Sequence, residues 1–160
     1  AIRTNHDFAL NSVRKACETT GMFRLTEHGL ESQSENFLKN MKAYFSQPLE
    51  HKKLLERNEK NPWGYFDSEL TKNKKDWKEI FDLVATSSND VFESEMRWPE
   101  TPKLFKEINL DWHKKNRDIA ITLLGKISLI LGAPIDSNFG ATSSYWLCKF
   151  LNSELIVEKI

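Results

Sequence analysis

Four histidines, two cysteines and a closely spaced pair of acids, Glu79 and Asp82, are the groups in this 160-residue sequence whose chemistry could be put to work. Non-haem iron takes two imidazoles and a carboxylate that converge on one face, commonly with two of the ligands in a His-x-Asp on a strand. No His-x-Asp occurs here. His6 and Asp7 are adjacent, so on a strand their side chains would point to opposite faces. His28 falls in a predicted turn before Gly29, while His51 and His113 stand among lysines on predicted helices, so all four read as surface or capping residues. Cys17 and Cys148 lie in apolar settings and read as small buried hydrophobes rather than activated thiols. Glu79 and Asp82 could exchange protons with a substrate only by meeting in one cleft, and a strand sends them to opposite faces. Each acid is therefore expected to take a local partner. With no Gly-rich phosphate loop and no nucleophile elbow, these residues name no catalytic group and no metal ligand.

The elements that would hold these groups follow from periodicity. Phe8, Leu10, Val13 and Ala16-Cys17 recur at helical intervals and Gly21 closes the segment, which predicts a first helix from Phe8 to Thr19. Met22 to Thr26 alternates and predicts a short strand before His28-Gly29. Ser32 with Glu35 has the spacing of a capping box for a second helix whose buried stripe is Phe37, Leu38, Met41, Tyr44 and Phe45. Pro48 suits the first turn of a short third helix, and Pro62 and Gly64 around Trp63 and Tyr65 mark an aromatic turn. Lys72, Lys74, Lys75 and Lys78 are balanced by acids and read as a solvated loop, which passes into an alternating strand at 79–84. An exposed loop at 85–98 precedes a long helix over about 101–131 whose one side carries Phe105, Ile108, Trp112, Ile119, Leu123, Ile127 and Ile130. A last strand is predicted at 144–151.

Composition narrows the function classes. Lys plus Arg and Asp plus Glu each number 23, so no net field draws the chain to nucleic acid or an anionic membrane. Ten Phe and five Trp supply a core for a single domain over 1–160 without staples. Cysteines without metal-binding spacing suggest a reducing compartment, and with no signal pattern or bilayer-length apolar run the expected location is cytoplasmic.

The order of short motifs resembles a known family. Ala16-Cys17-Glu18, Gly21-Met22-Phe23 and His28-Gly29-Leu30 resemble the opening signature of plant-type 2-oxoglutarate and Fe(II)-dependent dioxygenases. Tyr44 to Lys52 is similar to the family's "FF.LPLEEK", and Gly64-Tyr65 followed by Lys75 to Leu83 is similar to its "GY…DWKEVFDF". Trp98-Pro99-Glu100, Pro102 and Phe105-Lys106-Glu107, then Leu123-Leu124 and Ile127 to Gly132, continue the match in order. The chain departs at Ser144 to Ser153, where the family has "S.LRLN.YPP", and it lacks the first strand that the family carries ahead of the position of Ala1. Both ends are expected to be cut relative to that pattern.

The resemblance implies an α+β fold: a mainly helical N-terminal region with a long central helix, and a few short strands that join a jelly-roll, or double-stranded β-helix, core. It implies hydroxylation or desaturation of a small molecule by the complete enzyme, with Fe(II) held by His-x-Asp and His and 2-oxoglutarate held by Arg-x-Ser, none of which occurs in these 160 residues. Whether this chain is itself an enzyme is left open, and on this reading it holds no cofactor and is not catalytic alone. Tyr65, Trp77, Phe81 and Leu83 are the expected substrate-entrance residues. The alternative is a stand-alone binding or regulatory module that has lost catalysis. Strands at 22–26, 79–84 and 144–151 are expected to leave unpaired edges, so the expected partners are a second copy or a complementary jelly-roll segment, and neither nucleic acid nor membrane.

Overall fold

A computed structural model describes residues 6–85, 96–132 and 143–150, the last of these by backbone alone. Helix α1 spans His6–Thr19, and the chain leaves it through Gly21, whose N–H donates to the Ala16 carbonyl at 3.0 Å and whose φ of 71° turns the chain away from the helix. Cys17 is exposed on this helix, a correction to its expected burial. The apolar stripe of α1 is narrow: Phe8 is exposed, and among its described side chains only Ala9 is buried. The side chain of Cys148 lies outside the described residues.

No strand forms at 22–26. Met22 and Phe23 are exposed there and no strand among the described residues offers them a ladder, so alternation alone does not make a strand. Helix α2, Glu31–Phe45, starts one residue ahead of Ser32. Leu30 is its N-cap, with no side-chain cap bond, and the Ser32 hydroxyl donates to Gln33 instead. The expected capping box is thus displaced out of register. The buried stripe is as expected, with Phe37, Met41, Tyr44 and Phe45 buried and Leu38 packed against them. Helix α3, Leu49–Lys53, follows Pro48.

The aromatic turn expected near 62–65 is instead the entry to a strand, β1, Gly64–Phe66. The solvated lysine loop is a small hairpin, β2 at Leu70–Thr71 and β3 at Lys74–Lys75, with Leu70 opposite Lys75 and Thr71 opposite Lys74. Its two-residue turn puts Lys72 and Asn73 at φ 52° and 62°, the left-handed pair a tight hairpin requires, without the glycine that usually announces it. Strand β4, Lys78–Ala85, and β5, Ser143–Phe150, complete a three-stranded antiparallel sheet in the order β1-β4-β5. The strand expected at 79–84 is therefore central rather than an edge, because β1 covers one side and β5 the other. Residues 86–95 of the expected loop lie outside the described residues, and Met96 beyond them is buried.

Helix α4, Phe105–Leu131, begins after Leu104 in the left-handed conformation and ends at Gly132. Its first half carries the buried Phe105, Asn109, Trp112 and His113, while Leu129 and Leu131 near its end are exposed. The stripe predicted from sequence is real, but only its N-terminal part is fully covered. The core sits where α2, α4 and the sheet meet. Phe37 stacks on Trp112 with ring centres 4.9 Å apart, and Tyr44, Phe81 and Phe105 pack mutually at 4.9 to 5.3 Å. These contacts fix β4 against both long helices. The result is a helix-rich α+β fold.

Candidate functional site

Strand β4 organises the polar groups because its side chains alternate. Phe81 and Leu83 point into the helical core with Glu79 on the same face, while Ile80 and Asp82 take the other face. The two acids are separated as their spacing requires, and each has its own cation.

Glu79 is almost fully buried and accepts a hydrogen bond from Lys52 Nζ at 2.8 Å. Lys52, also buried, donates to the Phe45 carbonyl at 3.2 Å and lies over the Tyr65 ring. Burial above all, with the negative charge of Glu79 adding to it, pushes the phenols of Tyr44 and Tyr65 far above their ordinary range, so both stay protonated. This dry cluster ties α3 to the sheet.

On the opposite face Arg57 Nη1 donates to Asp82 Oδ2 at 2.6 Å, and the guanidinium carbon lies 3.8 Å from the centre of the Phe66 ring. Burial raises the Asp82 carboxyl above its ordinary value although Arg57 pulls it down. The position of Arg57 is set by backbone: its N–H donates to the Tyr65 carbonyl at 3.0 Å, and the Tyr65 N–H donates to Leu55 at 2.9 Å. Gly64, at φ 118°, makes this possible, since a Cβ there would overlap the Leu55 carbonyl oxygen. Gly64 is also the residue opposite Asp82, so β1 presents no side chain there, and the backbone of Leu55 and Arg57 fills the space.

Of the residues singled out in the sequence, Tyr65, Phe81 and Leu83 come together as wholly buried members of the core, whereas Trp77 stands apart, 66% exposed, just before β4. Lys52, Arg57, Phe66 and Ile80 escaped sequence reasoning. The separation of Glu79 and Asp82 onto two faces called for two partners, but neither partner is near in sequence. Lys78 does find near neighbours, Glu69 at 2.9 Å and Asp76 at 3.5 Å, and the bond to Glu69 chiefly raises its pKa.

The histidines are scattered. His28 Nδ1 accepts the Leu30 N–H at 3.1 Å, a capping role, and His51 is exposed on α3. His113 is buried in α4 rather than at the surface; burial, helped by Arg117, lowers its pKa. The side chain of His6 lies outside the described residues. No group of three or more His, Cys, Asp or Glu able to hold a metal ion occurs among the described residues. The described residues do not fit an iron site of two imidazoles and a carboxylate. Among the described residues no helix is long and apolar enough to cross a membrane.

Residues 3–101 match the family described as the non-haem dioxygenase in morphine synthesis N-terminal region. The chain is 28% identical over 126 residues to an oxoglutarate-dependent flavonoid 7-O-demethylase of Ocimum basilicum, covering 77% of this chain and 33% of that protein. It is 24% identical over 149 residues to a homoarginine-6-hydroxylase of Oryza sativa subsp. japonica, covering 85% and 45%. Among solved structures, JOX2 in complex with 2OG, Fe and JA superposes with a TM-score of 0.77 at 17% identity, covering 92% of this chain and 46% of that one. The chain spans less than half the length of these relatives.

Proposed function

Because this chain belongs to the 2-oxoglutarate and Fe(II)-dependent oxygenase family, as its N-terminal region, we propose that it forms the front part of an enzyme that hydroxylates or desaturates a small molecule. The observation that carries this is the family match across residues 3–101 in a chain that spans less than half of its relatives. In this reading α2, α4 and the helix-facing side of β4 are a buttress, and the outer edge of β5, unpaired among the described residues, receives further strands of a jelly roll. Tyr65, Phe81 and Leu83 back the substrate entrance from inside the core, and exposed Trp77 stands at its margin. Fe(II) and 2-oxoglutarate are the work of other residues, and the chain alone is not catalytic.

A second reading, a non-catalytic binding module, draws on the lack of any His-x-Asp in the 160 residues. One comparison separates the two. The reading frame downstream of Ile160 is examined for His-x-Asp, a later His and Arg-x-Ser, and the longest product is assayed for succinate formed from 2-oxoglutarate with Fe(II). Turnover by the longer product and none by this chain is expected. A saturable Fe(II) or 2-oxoglutarate site on this chain in a calorimetric titration would overturn the division of labour, and a frame that closes near Ile160 favours the second reading.

A further inference from the structure

We propose that Arg57, on the sheet face turned away from the helices, is a specificity residue that takes a carboxylate of the substrate. The inference rests on the oxygenase reading and names the substrate class for it. Three observations converge. The guanidinium makes one side-chain hydrogen bond among the described residues, Nη1 to Asp82, and among them the rest of its planar fork of donors has no acceptor. It is the more open member of the pair, with 31% of the side chain exposed against 17% for Asp82, so an incoming group meets the cation rather than the acid. The guanidinium lies over the Phe66 ring, 3.8 Å from its centre, and Ile80, opposite Phe66 in register, is buried, so the cation rests on an apolar floor that holds its fork in place for a charged group arriving from solvent.

The competing idea, a site for an amine on Asp82, fails on the same geometry. Oδ2 is already held at 2.6 Å and the acid is the enclosed partner. A second carboxylate can share an arginine, because the fork has two edges and Asp82 occupies one. A lysine in the same place would offer a point charge already spent on Asp82.

The test titrates the ¹⁵N-labelled chain with phenylacetate and, separately, with neutral phenylacetamide, following the Arg57 Nε–Hε resonance by NMR. A saturable shift with the acid, and binding of the amide roughly tenfold or more weaker, is expected. Arg57→Gln should abolish the preference for the acid and Arg57→Lys should restore only part of it, whereas Asp82→Asn should keep acid binding or tighten it by freeing Nη1. Equal binding of acid and amide, or no saturable shift with either, overturns the proposal without requiring any variant to fold. The two readings fail separately: phenylacetate binding through Arg57 with no 2-oxoglutarate turnover in the longest product sinks the oxygenase assignment alone, and turnover without acid preference sinks this one alone.

Discussion

Lys52 Nζ and Glu79 Oε2 lie 2.8 Å apart within the core, with only 5% and 11% of their side chains exposed. An ion pair so dry gives up most of its hydration, and its attraction does little more than return that cost. Its effect is to fix geometry, holding the short helix α3 against the central strand.

Removing one partner should therefore hurt far more than removing both. Lys52→Met leaves a buried carboxylate without a counter-charge and should lower stability by about 3–5 kcal/mol, while Lys52→Met combined with Glu79→Leu should recover most of the loss. Urea unfolding of the two single variants and the double variant measures the coupling; additive losses would contradict it.

Gly64→Ala should cost stability at a site with no side chain to lose. Its φ of 118° strains any L-residue by about 1–3 kcal/mol, and the new methyl also strikes the Leu55 carbonyl, so the 55–57 segment must shift. Thermal unfolding should show a lower midpoint, and the Arg57 Nε–Hε resonance should move because its backbone anchor has moved.

The buried His113 makes stability depend on mild acid. Its folded pKa lies below the ordinary 6.5, so the unfolded chain binds the proton more readily. Stability should be full above about pH 6.5 and fall as the pH drops through the folded value. Chemical denaturation from pH 7.5 to 5 should show this slope, and His113→Gln should flatten it; an unchanged slope in the variant would assign the effect elsewhere.

The outer edge of β5 should pair. Concentration-dependent association in sedimentation velocity is the expected behaviour of a strand edge that is unpaired among the described residues, and a monomer at all concentrations would show that the edge is blunted.

Much of this fold was readable because long, strongly periodic segments announce themselves. The stripe of Phe37, Met41, Tyr44 and Phe45 placed α2, and the run from Phe105 onward placed α4. What escaped depended on partners distant in sequence. Met22 to Thr26 alternates like a strand but has no ladder to join among the described residues, whereas Gly64–Phe66 reads as a turn and becomes a strand because β4 and Leu55 lie beside it. The hairpin at Lys72-Asn73 was hidden by the lack of a glycine. Among candidate site residues, the separate environments of Glu79 and Asp82 followed from spacing alone, but Lys52 and Arg57 are 27 and 25 residues away from them, beyond the reach of any local pattern.

The alternation of β4 also governs how this region can diverge. Substitutions can alter one face and leave the other in place, so the Arg57 side can change while the helical core persists. A single-residue deletion inside the strand would instead exchange the two faces at once, sending Asp82 toward Phe105 and turning Phe81 outward. Between β1 and β5, both registered to it, the strand can vary in letter but not in length.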